Sequence, residues 1–180
     1  FKPVMALAAH PQKLEPEVYR WKRTHYREFL SGGIVGDPGR FELVDGLVFQ
    51  QAIENPTHSL ACGLVQDALA ALPTGFHVRV QHPLALDDLS EPEPDLAVIR
   101  GARRKFRTEH PTSAELVVEV SDSTLHIDRG RKLRAYARNS QPEYWILNLV
   151  ERQLEVYRVP IPQEERFENQ MVLRLEDSVS

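Results

Sequence analysis

Pro94-Asp95-Leu96-Ala97-Val98-Ile99, then Leu116-Val117-Val118-Glu119-Val120-Ser121, then Asp128-Arg129-Gly130-Arg131-Lys132: the reading of these runs decides the fold. The first is a strand entered through Glu91-Pro92-Glu93-Pro94, whose prolines hold the chain extended and exclude helix, so Asp95 is presented where a loop meets a strand. The second is apolar on both faces until its glutamate, the pattern of a central strand covered on both sides. A carboxylate in that setting is costly unless paired, so Glu119 requires a cation, and lysine, arginine or a metal ion each qualifies. Hard divalent ions take oxygen ligands, and Mg²⁺ commonly keeps one or two carboxylates with waters and substrate phosphates. Asp95, Glu119 and the carbonyl of Val120 match that donor set, with Mg²⁺ or Mn²⁺ as the ion. Glu91 and Glu93 read as the acidic loop leading in, adding to the field that attracts a cation.

The third run predicts a helix from about Leu125 to Asn139, capped by Ser121, Asp122 or Ser123 and ended before Pro142. Asp128, Lys132 and Tyr136 lie four apart on it and share one stripe. The plain reading is an intrahelical Asp128–Lys132 ion pair contributing about 0.3–0.5 kcal/mol. If the stripe faces the strand ends, the Lys132 ammonium instead positions a water or neutralises charge in a phosphorane-like transition state, with Tyr136 in support. Two carboxylates, an ion and an amine make the chemistry of phosphodiester hydrolysis. Two carboxylates also serve glycoside hydrolysis, but the neighbouring lysine favours phosphate.

Outward from this centre, Val18, Trp21, Phe29 and Leu30 predict an amphipathic helix over Glu15 to Leu30, ended by Ser31-Gly32-Gly33, before a loop at Gly36-Asp37-Pro38-Gly39. Asp45-Gly46 between Phe41–Val44 and Leu47–Gln50 is a two-residue hairpin turn. After Asn55-Pro56-Thr57, a helix carries an apolar face of Leu60, Leu64, Val65, Ala68, Leu69 and Leu72, closed by Pro73 and Gly75. Phe76, Val78 and Val80 alternate as a strand, Tyr144–Leu147 and Leu154–Tyr157 read as a second hairpin, and Phe167–Leu175 as a last strand. The order implies an α/β chain of mixed α+β character: a central mixed sheet flanked by helices, with an N-terminal helix and β-hairpin. Glu42 and His58 reach the Asp95–Glu119 site if the first hairpin folds over it. Gln81, at the exit of its strand, is placed to touch substrate.

Composition limits the function. The chain of 180 residues suits one domain over 1–180, with 1–14 a loosely ordered terminus. With 42% hydrophobic and 27% charged residues it is neither disordered nor a membrane chain. The run Val4–Ala9 is too short to span a bilayer. One cysteine, Cys62, excludes an internal disulfide and makes an intracellular, cytoplasmic location the expectation. A net charge of -4 argues against coating nucleic acid by bulk positive potential. Basic residues do crowd one connection (Arg100, Arg103, Arg104, Lys105, Arg107) and one helix (Arg129, Arg131, Lys132, Arg134, Arg138), where solvated faces are the plain reading. No glycine-rich phosphate loop, nucleophile elbow or Cys/His zinc spacing is present.

Taken together, Phe41-Glu42-Leu43-Val44-Asp45-Gly46, His58, Glu91 to Val98, Leu116 to Ser121, Asp128 to Leu133, Tyr136-Ala137 and Pro142 to Trp145 resemble the Uma2 family of endonucleases, within the PD-(D/E)XK superfamily. The resemblance covers about two thirds of the chain, in order. It implies a restriction-endonuclease-like core, with Asp95 and Glu119 as metal ligands, Lys132 as catalytic lysine and Glu42 as accessory acid. The superfamily usually places its lysine two residues beyond the second acid, where this chain has Ser121; the resemblance implies that the following helix supplies it. The leading expectation is a Mg²⁺-dependent DNA endonuclease, with DNA as partner, Arg103, Arg104 and Lys105 available to phosphates, and a symmetric dimer in which Tyr144 to Tyr157 forms an interface or core. The alternative is a nucleic-acid-binding or assembly module that keeps the fold without turnover.

Overall fold

Leu116–Ser121 (β5) is buried at all six positions, as its unbroken apolar run requires, and the rest of the molecule is arranged around it. The structure, a computed structural model, describes residues 18–33, 41–51 and 55–174. The expected loose terminus at 1–14, the run Val4–Ala9, the loop Gly36–Gly39 and Leu175 lie outside these residues. On one side β5 pairs antiparallel with Leu96–Arg100 (β4), which pairs with Phe76–Val80 (β3). On the other it runs parallel to Glu143–Asn148 (β6), followed antiparallel by Gln153–Ile161 (β7) and Arg166–Leu173 (β8). The six-stranded order is thus β3-β4-β5-β6-β7-β8. Its single parallel step needs a crossover, and the helix carrying Lys132 supplies it.

Period-two alternation in β4 and β5 divides the core. Ala97, Ile99 and Val117 pack with Ala135, Tyr136, Tyr144 and Ile146 on one face. Leu96, Val98, Leu116, Val118 and Val120 pack with Ala61 and Cys62 on the other. Glu119 shares the parity of Val117 and therefore points toward the crossover helix. Tyr144 and Tyr157 are core residues, 0% and 6% exposed, and offer no interface.

The hairpin Phe41–Val44 (β1) and Leu47–Gln50 (β2) forms as expected. Asp45 and Gly46 take φ of 52° and 72°, the doubly positive turn that matches strand twist. A Cβ at Gly46 would lie 2.7 Å from Arg20 Cβ. The hairpin is fastened to the segment before β4 by an antiparallel bridge between Leu43 and Glu91. Glu91 and Glu93 are accordingly not a solvated loop. Glu91 is 5% exposed and takes the guanidinium of Arg27 at 2.7 Å.

Several helices differ from expectation. The first, α1, spans Arg23–Ser31, not Glu15–Leu30. Trp21 N–H donates to Gly46 O at 2.8 Å and Lys22 is extended, so this stretch lies against the hairpin, while residues 15–17 of the expected helix lie outside the described residues. The next, α2, spans Pro56–Ala68, but Leu60 and Leu64 are 64% and 60% exposed. Its inward face is Ala61, Cys62 and Val65, because small residues let it approach the sheet. The crossover consists of Leu125–Ile127 (α3), a π-helical segment Asp128–Lys132 and Leu133–Arg138 (α4). No side chain caps it at its N-terminus, and Ser121 and Asp122 are engaged elsewhere. Among the described residues no helix is long and apolar enough to cross a membrane.

Candidate active site

The β4–β5 register ends at Leu96↔Val118, so the next residues along the two strands, Asp95 and Glu119, stand side by side. Asp95 Oδ2 accepts from Val120 N–H at 2.7 Å, which fixes its carboxylate at the strand mouth. Glu119 is 3% exposed. Its Oε1 accepts from Lys132 Nζ at 3.1 Å and from Tyr136 O–H at 2.8 Å. Lys132 Nζ also lies 3.0 Å from Glu42 Oε2 and 3.9 Å from Asp128 Oδ1. The ammonium is therefore the hub of three carboxylates supplied by hairpin, central strand and crossover helix.

The π-helical segment accounts for this convergence. One wide turn between Asp128 and Lys132 adds a residue to the repeat, a distortion found mostly at functional positions. Asp128 then tucks under the end of β5, where its Oδ2 accepts from Ser121 Oγ at 2.6 Å and Thr124 Oγ1 at 2.8 Å. Lys132 and Tyr136 still reach Glu119 from the following turns. Ser121, at the position where the superfamily pattern expects lysine, thus orients the helix that delivers one.

Burial pushes the Glu119 carboxyl well above its usual range, against the pull of Lys132. For Lys132, burial disfavours the charge, but Glu119, Glu42, Asp128 and Asp95 outweigh it and hold the ammonium protonated. Burial, with Glu42 and Glu91 nearby, raises Glu93 to about 7.

These groups wall a cavity of about 120 Å³. Glu42, Glu93, Asp95, Glu119, Asp122 and Asp128 line it, against Lys132 and His58 as basic residues. An excess of carboxylates around a polar cavity is the donor chemistry of a hard divalent ion, so Asp95, Glu119 and Val120 fit the metal expected there.

His58 and Gln81 also line the cavity. Asn55 caps α2 by accepting from His58 N–H at 3.0 Å and donates from its amide to Asp122 Oδ2 at 3.0 Å, which ties the helix start to the end of β5. His58 Nε2 is 3.4 Å from Asp95 Oδ2. Hydrogen bonding to Asp95 and Cys62 raises its pKa to about 11 despite burial. Gln81 has φ of 50° and donates its N–H to Asp95 O at 3.0 Å. A left-handed non-glycine residue beside an acidic cavity is the kind of strain that collects at sites.

Arg103, Arg104 and Lys105 are not brought here. They form a 3₁₀ turn, Arg103–Phe106, beyond the end of β4 opposite Asp95. On the basic helix, Arg134 is exposed but three other arginines are engaged within the chain. Arg129 pairs with Glu151 and Glu155, Arg131 with Asp45, and Arg138 with Asp87 and Glu165. Sequence reasoning passed over Cys62, although its spacing of four from His58 on a helix was visible, and Asn55 and Asp122 as cavity residues.

No curated protein matches the chain. A crystal structure titled as that of a putative nuclease belonging to DUF820, from Anabaena variabilis, superposes with a TM-score of 0.66 at 16% identity. The match covers 86% of this chain and 87% of that one and shows the fold. The family model described as "Putative restriction endonuclease" matches residues 23–180. With that span matched, and with the mixed sheet and its carboxylate-lined cavity in place, the chain belongs to the Uma2 family of restriction-endonuclease-like proteins.

Proposed function

We propose that this protein is a metal-dependent endonuclease that hydrolyses DNA phosphodiester bonds in the cavity between β4, β5 and the crossover helix. The observation that carries the reading is the placement of Lys132 Nζ, 3.1 Å from Glu119 Oε1 and 3.0 Å from Glu42 Oε2, beside the Asp95 carboxylate on the adjacent strand. Asp95, Glu119 and the Val120 carbonyl would hold Mg²⁺ or Mn²⁺. When bound, such an ion supplies Lewis-acid polarisation of the phosphate and a more acidic water.

The chain's own groups do the rest. Glu42 and Glu119 take two of the three N–H bonds of the Lys132 ammonium and fix it so that the third points at the attacking water, while its charge offsets the negative charge that develops on the phosphate. Asp128 and Tyr136 are positioning residues: the first sets the helix against β5, and the second bonds the Glu119 oxygen that faces Lys132. His58 and Gln81 border the path by which a phosphate reaches Asp95. Because the cavity is acidic, phosphate binding as well as cleavage depends on the ion.

Plasmid and single-stranded DNA incubated with Mg²⁺ or Mn²⁺ test the reading. Wild type should cleave, and chelator should abolish it. Asp95→Ala, Glu119→Ala and Lys132→Ala should each lose at least about a hundredfold, the scale of removing one electrostatic stabiliser. Activity retained in all three variants rules the assignment out. Salt-sensitive DNA binding without cleavage under any metal would instead favour the non-catalytic module, and its loss on neutralising Arg103, Arg104 and Lys105 would map the interface.

A further inference from the structure

Cys62, behind the cavity wall, has no part in the scheme above, yet it is clustered with two residues that do. His58 and Cys62 stand four residues apart on α2, so both side chains project from one helix face. Cys62 Sγ lies 3.6 Å from His58 Nδ1, and His58 Nε2 lies 3.4 Å from Asp95 Oδ2. One donor atom from each of His58, Cys62 and Asp95 can be chosen so that all lie within 4.8 Å of one another. The side chains of His58 and Asp95 are only 15% and 14% exposed.

We propose that His58, Cys62 and Asp95 form a zinc site that shares Asp95 with the Mg²⁺ site, so that Zn²⁺ inhibits the nuclease by occupying its metal-binding carboxylate.

Three arguments support it. Sulfur, imidazole and carboxylate are together the ligand set of Zn²⁺ and foreign to Mg²⁺, which takes oxygen almost exclusively. Such mixed sites bind zinc more tightly than the hard ions, following ligand softness and the order of first-row affinities. His58 and Asp95 line the cavity of about 120 Å³, which leaves room for the fourth ligand, a water, as in open zinc sites. On binding, the Cys62 thiol and the His58 imidazolium each release a proton to solvent, and the two coordinate as thiolate and neutral imidazole. Zn²⁺ held there would draw the Asp95 carboxylate toward α2 and place its own positive charge beside the Mg²⁺ position, which weakens Mg²⁺ binding.

The binding part stands by itself, and only the inhibition rests on the proposed nuclease reading. Full-length protein is titrated with Co²⁺ as a spectroscopic stand-in and with Zn²⁺ against a chromophoric chelator. Wild type should show a thiolate-to-cobalt charge-transfer band and bind Zn²⁺ in a one-to-one ratio. Cys62→Ser should lose the band and bind Zn²⁺ at least about tenfold more weakly, and His58→Ala should weaken binding likewise. In the cleavage assay, Cys62→Ser should keep the Mg²⁺-supported rate while becoming resistant to Zn²⁺.

Absence of the band in wild type, or equal Zn²⁺ affinity in wild type and Cys62→Ser, overturns the site. Zinc inhibition undiminished in Cys62→Ser overturns the shared-ligand mechanism. A band and tight zinc binding in a protein that cleaves nothing would uphold the site and remove the nuclease reading. Circular dichroism of both variants shows whether either change has instead unfolded the chain.

Discussion

Lys132 is only 6% exposed and is the cation against which Glu42, Glu119 and Asp128 are all set. Removing it leaves those carboxylates facing one another in a low-dielectric setting, a far greater penalty than the loss of a surface pair. Lys132→Met should therefore lower unfolding free energy by about 3 kcal/mol in urea titrations, and Mg²⁺ should restore part of it. Glu42→Gln added to Lys132→Met should recover stability rather than lose more, because one of the stranded charges disappears. Tyr136→Phe is milder. It deletes the 2.8 Å bond to Glu119 Oε1 and should cost about 1–2 kcal/mol by the same measurement.

Among elements, the hairpin and the crossover helix differ in how legible they were. Asp45-Gly46 between β-rich runs prescribed the turn and the pairing of its two strands, which the structure has. Gly46→Ala should cost about 1 kcal/mol or more, because φ of 72° is strained for alanine and the added methyl meets Arg20. Since the hairpin carries Glu42, the same substitution should slow cleavage. The crossover was recognisable as a helix, and its four-residue stripe placed Asp128, Lys132 and Tyr136 on one side. Its π-helical turn left no such mark. Hydrophobic periodicity distinguishes 3.6 from 2 residues per repeat but does not report one extra residue in a single turn, and Gly130 alone was no sign of it. The face of α2 was misjudged for a related reason. Leucines at Leu60 and Leu64 outweigh Ala61 and Cys62 in a hydropathy pattern, yet close packing against the sheet selects the small pair.

At the scale of the whole molecule, the sheet face that carries Glu119 is held two strands further on by Glu155, which is 1% exposed. It accepts from Arg129 Nη2 at 2.6 Å, Asn148 Nδ2 at 2.8 Å and Tyr157 O–H at 2.9 Å. Burial raises its pKa, but these bonds outweigh burial, and the folded value lies below the ordinary 4.5. A depressed folded pKa means that its stabilisation is complete above the unfolded value and is lost as pH falls through the folded one. Melting temperature should therefore drop below about pH 4.5, and Glu155→Gln should be less stable near neutrality yet flatten that part of the curve. Nothing in the sequence announced this network, since its partners come from the crossover helix, β6 and β7 and meet only in the folded chain. The Asp95–Glu119 pair was legible because each residue breaks a local pattern, one by its prolines and the other by its charge amid valines. The hairpin's attachment also bears on biosynthesis. Residues 41–50 leave the ribosome well before Glu91 and Lys132, and a lone two-stranded hairpin is marginal in water. A nascent chain would thus carry Glu42 without its anchor or its counter-ion until translation had passed the crossover.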